Sequence, residues 1–520
     1  MKFRKLWVIA VALLLVLTAC GGSGNEASNS SATTGSGQAE GSQQPDAGDQ
    51  GAEQPEEKPT LKSLQRWYNE DFNTYPVAKM LEERTGYKVE YEMLPQDKPQ
   101  EKLSLLIGSG EKYDAVTILG SPEFKALYLE LAQQNALTDL TPLLEEHGPN
   151  LLSGISEESW NAVKVDGKIY AIPSKTIEFV ATGMMVRLDW LEKLNLDIPE
   201  TLDEFVAVLK AFKEQDPGGN GANNIPLVIK TEEPFVPSIS GAFGLINQWN
   251  EHDGKLVSRV EDPRLADYLT FMNQLFADKL LDQEFGVTND ATMKEKFSSG
   301  RAGFAPLHWA DIPPMTDTLQ KLNPEAKIAY IPALKGPDGT QGYPVGTGFD
   351  LLTFIPKTSD HAADAIKWMN AKLDKDTFKL MAIGEEGVHH TYENGQYKPI
   401  LPIFNDERNL GNAFLTGMDE SVYPTYWQAR VRKDMRLYEG WEYLNLLQPD
   451  STRVRDLLGF APYLPEYNKN FQKLNVMLND YVIKVIFGAE SLASIDDFVA
   501  KYDAEGGKVS AEEINAWYAN

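Results

Sequence analysis

The order of apolar and polar residues after position 60 predicts alternating strands and helices. The run LKSLQ at 61–65 suits a strand that ends in a polar-aromatic loop, and apolar residues share one helical face over 76–87. Residues 87–94 then alternate as a half-buried strand does, and a short apolar helix is predicted at 102–110. The continuous apolar run YDAVTIL at 113–119 is typical of a strand inside a parallel sheet. This alternation predicts an α/β layered fold.

The strongest local signal lies in the stretch IPETLDEFVAVLKAF. Thr201 is followed three residues later by Glu204, and this spacing is a capping box, which favours the start of a helix. The apolar residues behind it fall on one helical face: Leu202, Phe205, Val206, Leu209 and Phe212. Packing alone explains this helix, and no chemistry is needed to account for it.

Length and composition extend the prediction from elements to domains. A chain of 520 residues and 58.0 kDa exceeds the size of about 250–300 residues at which single cores stop growing, so two or more lobes are expected. The formal net charge of −27 argues against binding to nucleic acid and against electrostatic docking on anionic lipid. With one cysteine the chain cannot form an internal disulfide.

The N-terminus has the pattern of a secretory signal. Lys2, Arg4 and Lys5 precede the apolar run 6–17, which is too short to span a membrane. The run leads into LTACG, which resembles the lipobox of bacterial lipoproteins. By that resemblance residues 1–19 are a lipoprotein signal peptide, and Cys20 is the lipid attachment site that anchors the mature protein to the membrane.

Residues 20–59 are predicted to form a disordered tether. They are rich in Gly, Ser, Gln, Asn and acids and have almost no large apolar side chains, so they cannot bury enough surface to fold. A flexible chain of this length has a typical reach of about 35 Å. The folded part is therefore expected to stay close to the membrane and to turn freely.

Motifs for catalysis are absent from the sequence. It contains no H-E-x-x-H, no G-x-S-x-G and no phosphate-binding loop, and its histidines are scattered. With 76 acidic residues, neighbouring carboxylates such as Glu385 and Glu386 say nothing about acid–base catalysis. A secreted glycosidase with paired carboxylates stays open at this point, although no motif favours it. We predict that the chain is not an enzyme.

Five segments carry a resemblance to a known family. They are GKIYAIP (167–173), RLDWLEKLNLDIPETLDEF (187–205), FKEQDPGGNG (212–221), FSSGRAGF (297–304) and GEEGVHHTYENG (384–395). In this order, and together with a lipobox, they resemble the family 1 extracellular solute-binding proteins of ABC importers, and in particular the LipO-like lipoproteins of firmicutes. The resemblance extends over the chain from residue 60 onward.

The resemblance implies a two-lobed α/β fold of the type II periplasmic-binding-protein kind. Its lobes are discontinuous in sequence and joined by a hinge, and C-terminal helices follow. Lobe 1 is expected to comprise residues 60–172 with 327–375, and lobe 2 residues 173–326 with 376–520. The solute is expected to bind in the cleft between them.

Polar and aromatic residues directly follow two predicted strands of the first lobe. Trp67, Tyr68 and Asn69 come after the first strand, and Ser121 and Glu123 come after the buried strand at 113–119. Open α/β sheets bind ligands outside the carboxyl ends of their strands. These residues are therefore predicted to bind the solute, and packing of Trp67 on the core is the alternative.

Further site residues are implied by the resemblance alone. Sugar-binding relatives have a stacking tryptophan after the strand that matches RAGFAPLH, and Trp309 stands at this place. The segment TEEPFVPS is similar to an element that some relatives place against sugar, which implies Glu233 and Phe235. The segment YPTYWQAR implies Tyr426 and Trp427, although aromatic residues on helices more often belong to a core.

The segment DPGGNG is similar to part of a calcium loop. Some relatives bind structural calcium here, and Asp216, Asn220 and Asn224 could supply oxygen ligands. The segment departs from the pattern because Gly218 has no side chain and asparagines stand where acids would add charge. A glycine-rich turn without metal is the favoured alternative, and no other cofactor is expected.

Together these features predict the lipid-anchored receptor of an ABC importer on the extracellular face of the bacterial cytoplasmic membrane. We expect it to act as a monomer, to bind a solute in the cleft and to deliver it to the permease subunits. The aromatic site residues and the large second lobe favour an oligosaccharide. A peptide-binding receptor is the main alternative, and a cell-surface binding lipoprotein without a role in transport is another.

Overall fold

A computed structural model describes residues 57–519 of the chain. The predicted signal peptide, the lipid attachment site Cys20 and nearly all of the predicted tether lie outside these residues. Lys58, expected in the tether, donates from Nζ to Thr85 O at 2.8 Å and lies 4.3 Å from the centre of the Tyr87 ring. The folded part is therefore already in place at Lys58, two residues before the expected boundary.

Short strands account for the sheets of the described part of the chain. In chain order they are β1 Leu61–Gln65, β2 Val89–Met93, β3 Ala115–Leu119, β4 Lys164–Val165, β5 Lys168–Ile169, β6 Ala171–Lys175, β7 Thr182–Arg187, β8 Ile225–Leu227, β9 Trp249–His252, β10 Lys255–Ser258, β11 Ala302–His308, β12 Ile328–Tyr330, β13 Tyr343–Val345, β14 Phe349–Phe354, β15 His390–Glu393, β16 Gln396–Pro399 and β17 Arg453–Arg455. Two sheets have more than two strands, and each of them forms one lobe.

Helices surround both sheets. In chain order they are α1 Pro76–Thr85, α2 Pro99–Gly108, α3 Pro122–Gln133, α4 Thr141–His147, α5 Pro149–Gly154, α6 Glu157–Ala162, α7 Leu188–Leu194, α8 Leu202–Gln215, α9 Pro237–Ala242, α10 Arg264–Ala277, α11 Asp290–Ser298, α12 Ile312–Leu322, α13 Ala362–Lys372, α14 Lys375–Ile383, α15 Ile403–Arg408, α16 Tyr423–Val431, α17 Met435–Glu442, α18 Pro465–Ile486, α19 Ile495–Tyr502 and α20 Lys508–Tyr518. Between residues 57 and 519, none of them has the length and apolar character needed to cross a membrane.

The first sheet has the strand order β2-β1-β3-β14-β6. β1 pairs in parallel with β2 and β3, as the alternation of strands and helices predicted. β14 arrives from a distant part of the chain and pairs antiparallel with both β3 and β6. As a result β1, β3 and β6 end, and β14 begins, at one edge. We call it the first-sheet edge; residues 66, 120, 176 and 350 lie on it.

The second sheet has the strand order β12-β7-β11-β8. β7 pairs antiparallel with β11 and β12, and β11 runs parallel to β8. β7 therefore begins where β8, β11 and β12 end, and we call this the second-sheet edge; residues 182, 228, 309 and 331 lie on it. Residues 176–181 connect the first-sheet edge directly to the second, and residues 331–348 lead back. The same two connections therefore join the two edges.

Each sheet has its own hydrophobic core. The first core takes its buried residues from 61–177, 349–383 and 404–429. The second core takes them from 184–334 and 474–502, and a smaller cluster around Phe297 and Tyr343 extends it. Each lobe is therefore built from segments that are distant in sequence.

Two of the expected lobe boundaries are wrong. Residues 327–334 were expected in lobe 1, but β12 pairs with β7 and Ile331 is buried in the second core, so they belong to lobe 2. Residues 173–175 were expected in lobe 2, but they are part of β6, which pairs with β14 in the first sheet.

The C-terminal part of the chain is divided between the two cores. Residues 376–429 were expected in lobe 2, but they contribute Phe378, Phe404 and Phe414 to the first core. The reason is that α14 packs against α1 and α13, which cover the first sheet, and α16 packs in turn on α14. Only later helices, α18 and α19, bury their apolar faces in the second core.

Candidate functional site

The first-sheet edge brings together residues from four separate segments. Arg66 follows β1, Gly120 follows β3, Thr176 follows β6, and Asp350 lies at the start of β14. Gly120 is required here because a Cβ atom at this position would lie 1.9 Å from Phe349 O. Its amide donates to Asp350 O at 2.9 Å, which holds the end of β3 close to the start of β14.

Asp350 supplies a hydrogen-bond acceptor in the middle of this edge. Its Oδ1 accepts a hydrogen bond from Thr176 Oγ1 at 2.9 Å, and the residue is exposed to solvent. The surrounding protein nevertheless limits hydration of the charge and raises the pKa of the carboxyl group, while the Thr176 hydrogen bond and the charge of Arg66 act in the opposite direction. Asp350 thus offers an exposed carboxylate at the first-sheet edge, where a solute can reach it.

We expect solute affinity to fall when the solution is acidified. Because its pKa is raised, Asp350 takes up a proton at a higher pH than an ordinary aspartate, and the neutral acid is a weaker acceptor for hydroxyl groups. Affinity should be full above this pKa and decrease as the pH falls through it. Binding titrations between about pH 4 and about pH 7 measure the effect.

The variant Asp350→Asn is the control for this titration. It keeps the shape and one acceptor oxygen but cannot ionise. It should bind the solute more weakly in neutral solution and show little change of affinity on acidification. An unchanged pH profile in the variant would assign the titration to another group.

The residues predicted after β1 divide into exposed and packed ones. Trp67 is 41% exposed, and Asn69 is exposed as well. Tyr68 is half-buried, because its ring lies 4.8 Å from that of Phe72 and the guanidinium of Arg66 lies 4.1 Å from its centre. Tyr68 is therefore the residue that packs on the core, and Trp67 offers aromatic surface at the first-sheet edge.

Trp309 lies at the second-sheet edge, directly after β11. His308 Nδ1 accepts a hydrogen bond from Ala310 N at 3.0 Å, and this bond starts the short 3-10 turn Trp309–Asp311. Trp309 is half-buried, and its Nε1 has no acceptor in the described part of the chain. Asp311 pairs through Oδ1 with Lys294 at 3.0 Å, while its Oδ2 has no partner among the described residues. The turn thus offers one unpaired donor and one unpaired acceptor.

Trp309 belongs to an aromatic cluster, which consists of Phe179, Trp309, Trp427, Tyr438 and Trp441. The ring of Trp427 lies 5.7 Å from Trp309, nearly perpendicular at 88°, and 5.0 Å from Phe179, nearly parallel at 21°. Trp441 lies 5.8 Å from Trp427, and Tyr438 lies 6.0 Å from Trp441. Parallel and edge-to-face rings at these separations attract each other. The structure therefore joins two of the predicted site residues, Trp309 and Trp427.

The aromatic cluster lies where the lobes meet. Trp309 comes from the second-sheet edge, Phe179 from the connection 176–181, and Trp427 from α16, which packs on the first core. Sequence reasoning missed Phe179, Tyr438 and Trp441. The signal for Phe179 was available, since it follows the crossing segment GKIYAIP, whereas the aromatic residues of α17 are indistinguishable from helix core residues.

Three of the five residues implied by the resemblance lie away from this cluster. Phe235 is 8% exposed and stacks on Tyr268 at 5.2 Å, so it belongs to the second core. Tyr426 is 6% exposed and packs beside Tyr397 at 5.4 Å in the first lobe. Glu233 is exposed and forms a surface ion pair with a lysine. Core packing, rather than solute contact, explains Phe235 and Tyr426.

A cavity of about 300 Å³ lies at the first-sheet edge, between α3 and the N-terminal part of α18. The predicted residue Glu123 lines it, and its Oε1 accepts a hydrogen bond from Gln472 Nε2 at 2.6 Å. Lys125, also in the lining, donates to Ala461 O at 2.7 Å. Ser121 is half-buried just before α3. Because α3 packs in the first lobe and α18 in the second, the bond between Glu123 and Gln472 connects the lobes beside the cavity.

The loop 216–224, considered above as a calcium site, is closed by its own hydrogen bonds. Both oxygens of Asp216 accept from backbone amides, those of Asn220 at 2.9 Å and Gly221 at 2.7 Å. The side-chain amides of Asn220 and Asn224 donate to backbone carbonyls. Between residues 57 and 519 no three His, Cys, Asp or Glu side chains group as a metal site requires. The one carboxylate of the loop is thus engaged by amides, while Asn224 Oδ1 is buried and has no partner among the described residues. Calcium takes amide oxygens as well as carboxylates, so the loop offers one free oxygen ligand and little negative charge.

The family of the protein follows from comparison with known sequences. A family model described as bacterial extracellular solute-binding protein matches residues 58–376. The chain belongs to this family. The match covers four of the five segments on which the resemblance was based, and it confirms that resemblance.

Two relatives from Bacillus subtilis (strain 168) match most of the chain. Lipoprotein LipO is 25% identical over 468 residues, which cover 85% of this chain and 88% of LipO. The polygalacturonan/rhamnogalacturonan-binding protein YtcQ is 26% identical over 471 residues, which cover 88% of this chain and 91% of YtcQ. Both relatives therefore align with the two lobes together and not with one of them alone.

A solved structure supports the same conclusion for the fold. The ABC-transporter substrate-binding protein FusA of Streptococcus pneumoniae, in complex with kestose, has a TM-score of 0.65 at 20% identity, covering 89% of this chain and 99% of FusA. This similarity confirms the two-lobed α/β fold. The chain is thus a solute-binding protein of the ABC-transporter class, and its family confirms the prediction that it is not an enzyme.

Proposed function

We propose that this protein is the lipid-anchored substrate-binding component of an ABC importer, and that it binds an oligosaccharide between its lobes. The observation that carries this proposal is the aromatic cluster, in which Trp309 of lobe 2 and Trp427 of lobe 1 meet beside the hinge. Aromatic rings pack well against the apolar C–H faces of sugars, and Asp350 supplies an acceptor for hydroxyl groups. The protein acts as a monomer.

The hinge explains how binding becomes delivery. The connections 176–181 and 331–348 allow one lobe to rotate against the other. A solute that contacts residues of both sheet edges binds the closed form more tightly than the open form, so it shifts the population toward closure. The closed form then docks on the permease subunits and releases the solute there.

Anchoring places this cycle at the extracellular face of the bacterial cytoplasmic membrane. Cys20 carries the lipid after removal of residues 1–19, and residues 20–57 form the tether. Support comes from the pattern around Cys20 and from the name of the relative LipO, a lipoprotein. The contact of Lys58 with Thr85 implies that the tether leaves from lobe 1.

Sugar is favoured over peptide as the solute. YtcQ is named for binding polygalacturonan and rhamnogalacturonan, and the FusA structure contains kestose. A peptide receptor needs partners for the charged termini and the amides of a chain, whereas a sugar needs flat apolar faces with a few aimed polar groups. The aromatic cluster with Asp350 suits the second requirement.

A thermal-shift screen of the purified protein against oligosaccharides and peptides tests the proposal. A ligand that binds only the folded state stabilises it by about 2.7 kcal/mol at 100 times its dissociation constant, so a true solute raises the melting temperature clearly. We expect stabilisation by at least one oligosaccharide and by none of the peptides. If only peptides stabilised the protein, the solute would be a peptide and not a sugar. If a strain that lacks this protein took up the stabilising ligand normally, the protein would have no role in its transport.

A further inference from the structure

Four cations near the aromatic cluster have no carboxylate partner within 4.0 Å among residues 57–519. This basic group consists of Arg66, Arg430, Arg432 and Lys433. Arg430 donates to the backbone carbonyls of Arg408 and Asn409, and Lys433 donates from Nζ to Asn409 Oδ1 at 3.1 Å. Such partners fix the position of a charge without neutralising it.

Arg432 and Arg66 are held in the same way. Arg432 donates to Gln428 Oε1 at 3.0 Å and to Tyr438 Oη at 3.1 Å. Arg66 lies over the face of Tyr68, with 4.1 Å between its guanidinium carbon and the ring centre. Rings and amides orient guanidinium groups well, but they leave the positive charge available.

The arginines without a carboxylate partner are unevenly distributed in this acidic chain. The sequence has 76 acids against 49 bases. Of the twelve arginines between residues 57 and 519, seven lie within 4.0 Å of a carboxylate oxygen. Three of the remaining five belong to the basic group, and Arg84 and Arg259 are the other two. Three of the five arginines that have no carboxylate partner among the described residues therefore lie in the basic group.

The basic group adjoins the aromatic cluster and the first-sheet edge. Arg430 follows Trp427 by three residues, so the two share a face of α16. The charges of Arg66 and Arg430 both act on Tyr68, since each favours ionisation of its hydroxyl. The guanidinium of Arg432 lies 4.4 Å from the ring centre of Tyr438. The four charges thus flank the surface on which we expect the sugar to stack.

The acidic residues near the basic group neutralise little of its charge. Asp434 is held by Arg436 at 2.8 Å, and Glu407 contacts His389 at 3.1 Å. Asp350 is close enough to Arg66 for the two charges to interact, and it offsets part of the charge of that one arginine. Burial and the charge of Arg430 lower the pKa of Lys433, as expected for like charges held together. The group therefore keeps a net positive charge.

Unpaired donors point to the same kind of ligand. Arg66 Nε, Arg432 Nε, Trp309 Nε1 and Trp441 Nε1 are buried and have no acceptor in the described part of the chain. Trp441 is only 5% exposed, so its N–H is almost fully shielded. Buried polar groups in folded proteins are nearly always hydrogen-bonded. Buried donors without acceptors also occur elsewhere, for example at Trp160 and Trp368. Those beside the unneutralised arginines are placed to suit a ligand rich in acceptors and negative charge.

We propose that the solute is an anionic oligosaccharide, and that Arg66 and Arg430 bind carboxylate groups of its uronic acid units. This inference rests on the function proposed above, because it assumes that a sugar ring stacks on the aromatic cluster. The planar guanidinium fork matches a carboxylate, and charge-assisted bonds of this kind are stronger than those to hydroxyl groups. Asp350 and Asp311 remain available for the hydroxyl groups of the same ligand.

Paired ligands that differ only in charge test the proposal. Galacturonate, mannuronate and glucuronate oligomers are titrated into the purified full-length protein beside their carboxyl-reduced, neutral counterparts. We expect at least one acidic oligomer to bind more tightly than its neutral counterpart by about tenfold or more. Its affinity should also fall as salt rises from about 20 mM to about 300 mM, because salt screens the charges, while neutral binding stays constant.

The outcomes separate this inference from the proposed function. Equal or tighter binding of a neutral oligomer would overturn the inference and leave a sugar receptor. Binding of peptides and of no oligosaccharide would overturn both. A preference for an acidic oligomer that persists unchanged at high salt would also count against pairing with the basic group.

Variants locate the charge that is responsible. Arg66→Gln and Arg430→Gln should each weaken binding of the acidic oligomer by about tenfold and binding of its neutral counterpart by less than about threefold. Arg84→Gln is the matched control, because Arg84 is also without a carboxylate partner and donates to Thr377. Arg66→Lys should restore part of the affinity. If both ligands lost affinity equally, these arginines would have a structural role and the assignment would be overturned. If the Arg430 variant does not fold, the Arg66 variant alone decides the test, because Arg66 is only half-buried.

Discussion

Replacement of Trp309 by alanine is expected to weaken solute binding by about 30-fold or more. A central aromatic residue of a binding site costs about 2 kcal/mol or more when it is truncated, and this corresponds to about 30-fold in affinity. The protein should remain folded, because Trp309 is half-buried at a sheet edge and not inside either main core. Isothermal titration with a solute found by the thermal-shift screen gives the affinity, and thermal unfolding gives the stability.

Two variants control for loss of packing. Trp309→Phe keeps a flat ring beside Trp427 and should retain more affinity than Trp309→Ala. Trp190→Phe changes a buried tryptophan of the second core, 5.2 Å from Phe212, and should lower the melting temperature without changing affinity. Full affinity in Trp309→Ala would remove this residue from the site and leave the cavity beside Glu123 as the stronger alternative.

Replacement of Cys20 by alanine is expected to abolish attachment to the membrane. Cys20 is the single thiol of the chain, so no other side chain can form the thioether. The variant should be found in the medium or should accumulate as an uncleaved precursor. Cell fractionation followed by immunoblotting distinguishes these fates from that of the wild type.

A substitution in the tether controls for effects on expression. Ser23→Ala lies three residues after the cysteine and should leave processing and membrane attachment unchanged. If the Cys20→Ala protein is processed normally and still sediments with membranes, the lipobox interpretation is wrong. Solute binding by purified protein should be the same in both variants, since residue 20 precedes the folded part.

Local structure was predictable where one short segment determines it. Thr201 Oγ1 accepts a hydrogen bond from Glu204 N at 3.2 Å, and Glu204 Oε2 accepts one from Thr201 N at 3.2 Å, so the predicted capping box starts α8. Phe205, Leu209 and Phe212 of its apolar face are fully buried. The cap and the helical periodicity lie within fifteen residues, so this segment alone is enough to predict the helix and its buried face.

The division of the C-terminal part was not predictable in the same way. α14 and α16 have apolar faces that fit either lobe, and sequence periodicity shows that a face is buried but not where. The contacts of Phe378 and Phe414 with the first core decide it. Such contacts join residues more than 250 positions apart, and no local pattern contains them.

The candidate site shows the same limit. Trp309 and Trp427 were selected separately, one from a strand end and one from a helix, and their contact depends on the packing of both lobes. Phe235 was selected by the same reasoning as Trp309, yet it stacks on Tyr268 inside the second core. Asp350 was not predicted at all, because it reaches the site as the start of an antiparallel strand that enters from a distant segment.

The aromatic cluster also gives the protein an optical property. Trp309 and Trp441 lie 5.7 and 5.8 Å from Trp427, and Trp309 and Trp427 are attached to different sides of the hinge. Indole emission depends on the distance to neighbouring rings and on the polarity around them, so rotation of the lobes changes the fluorescence of the unlabelled chain. Opening and closing can therefore be followed by stopped-flow fluorescence in real time, without a dye and without modifying any residue.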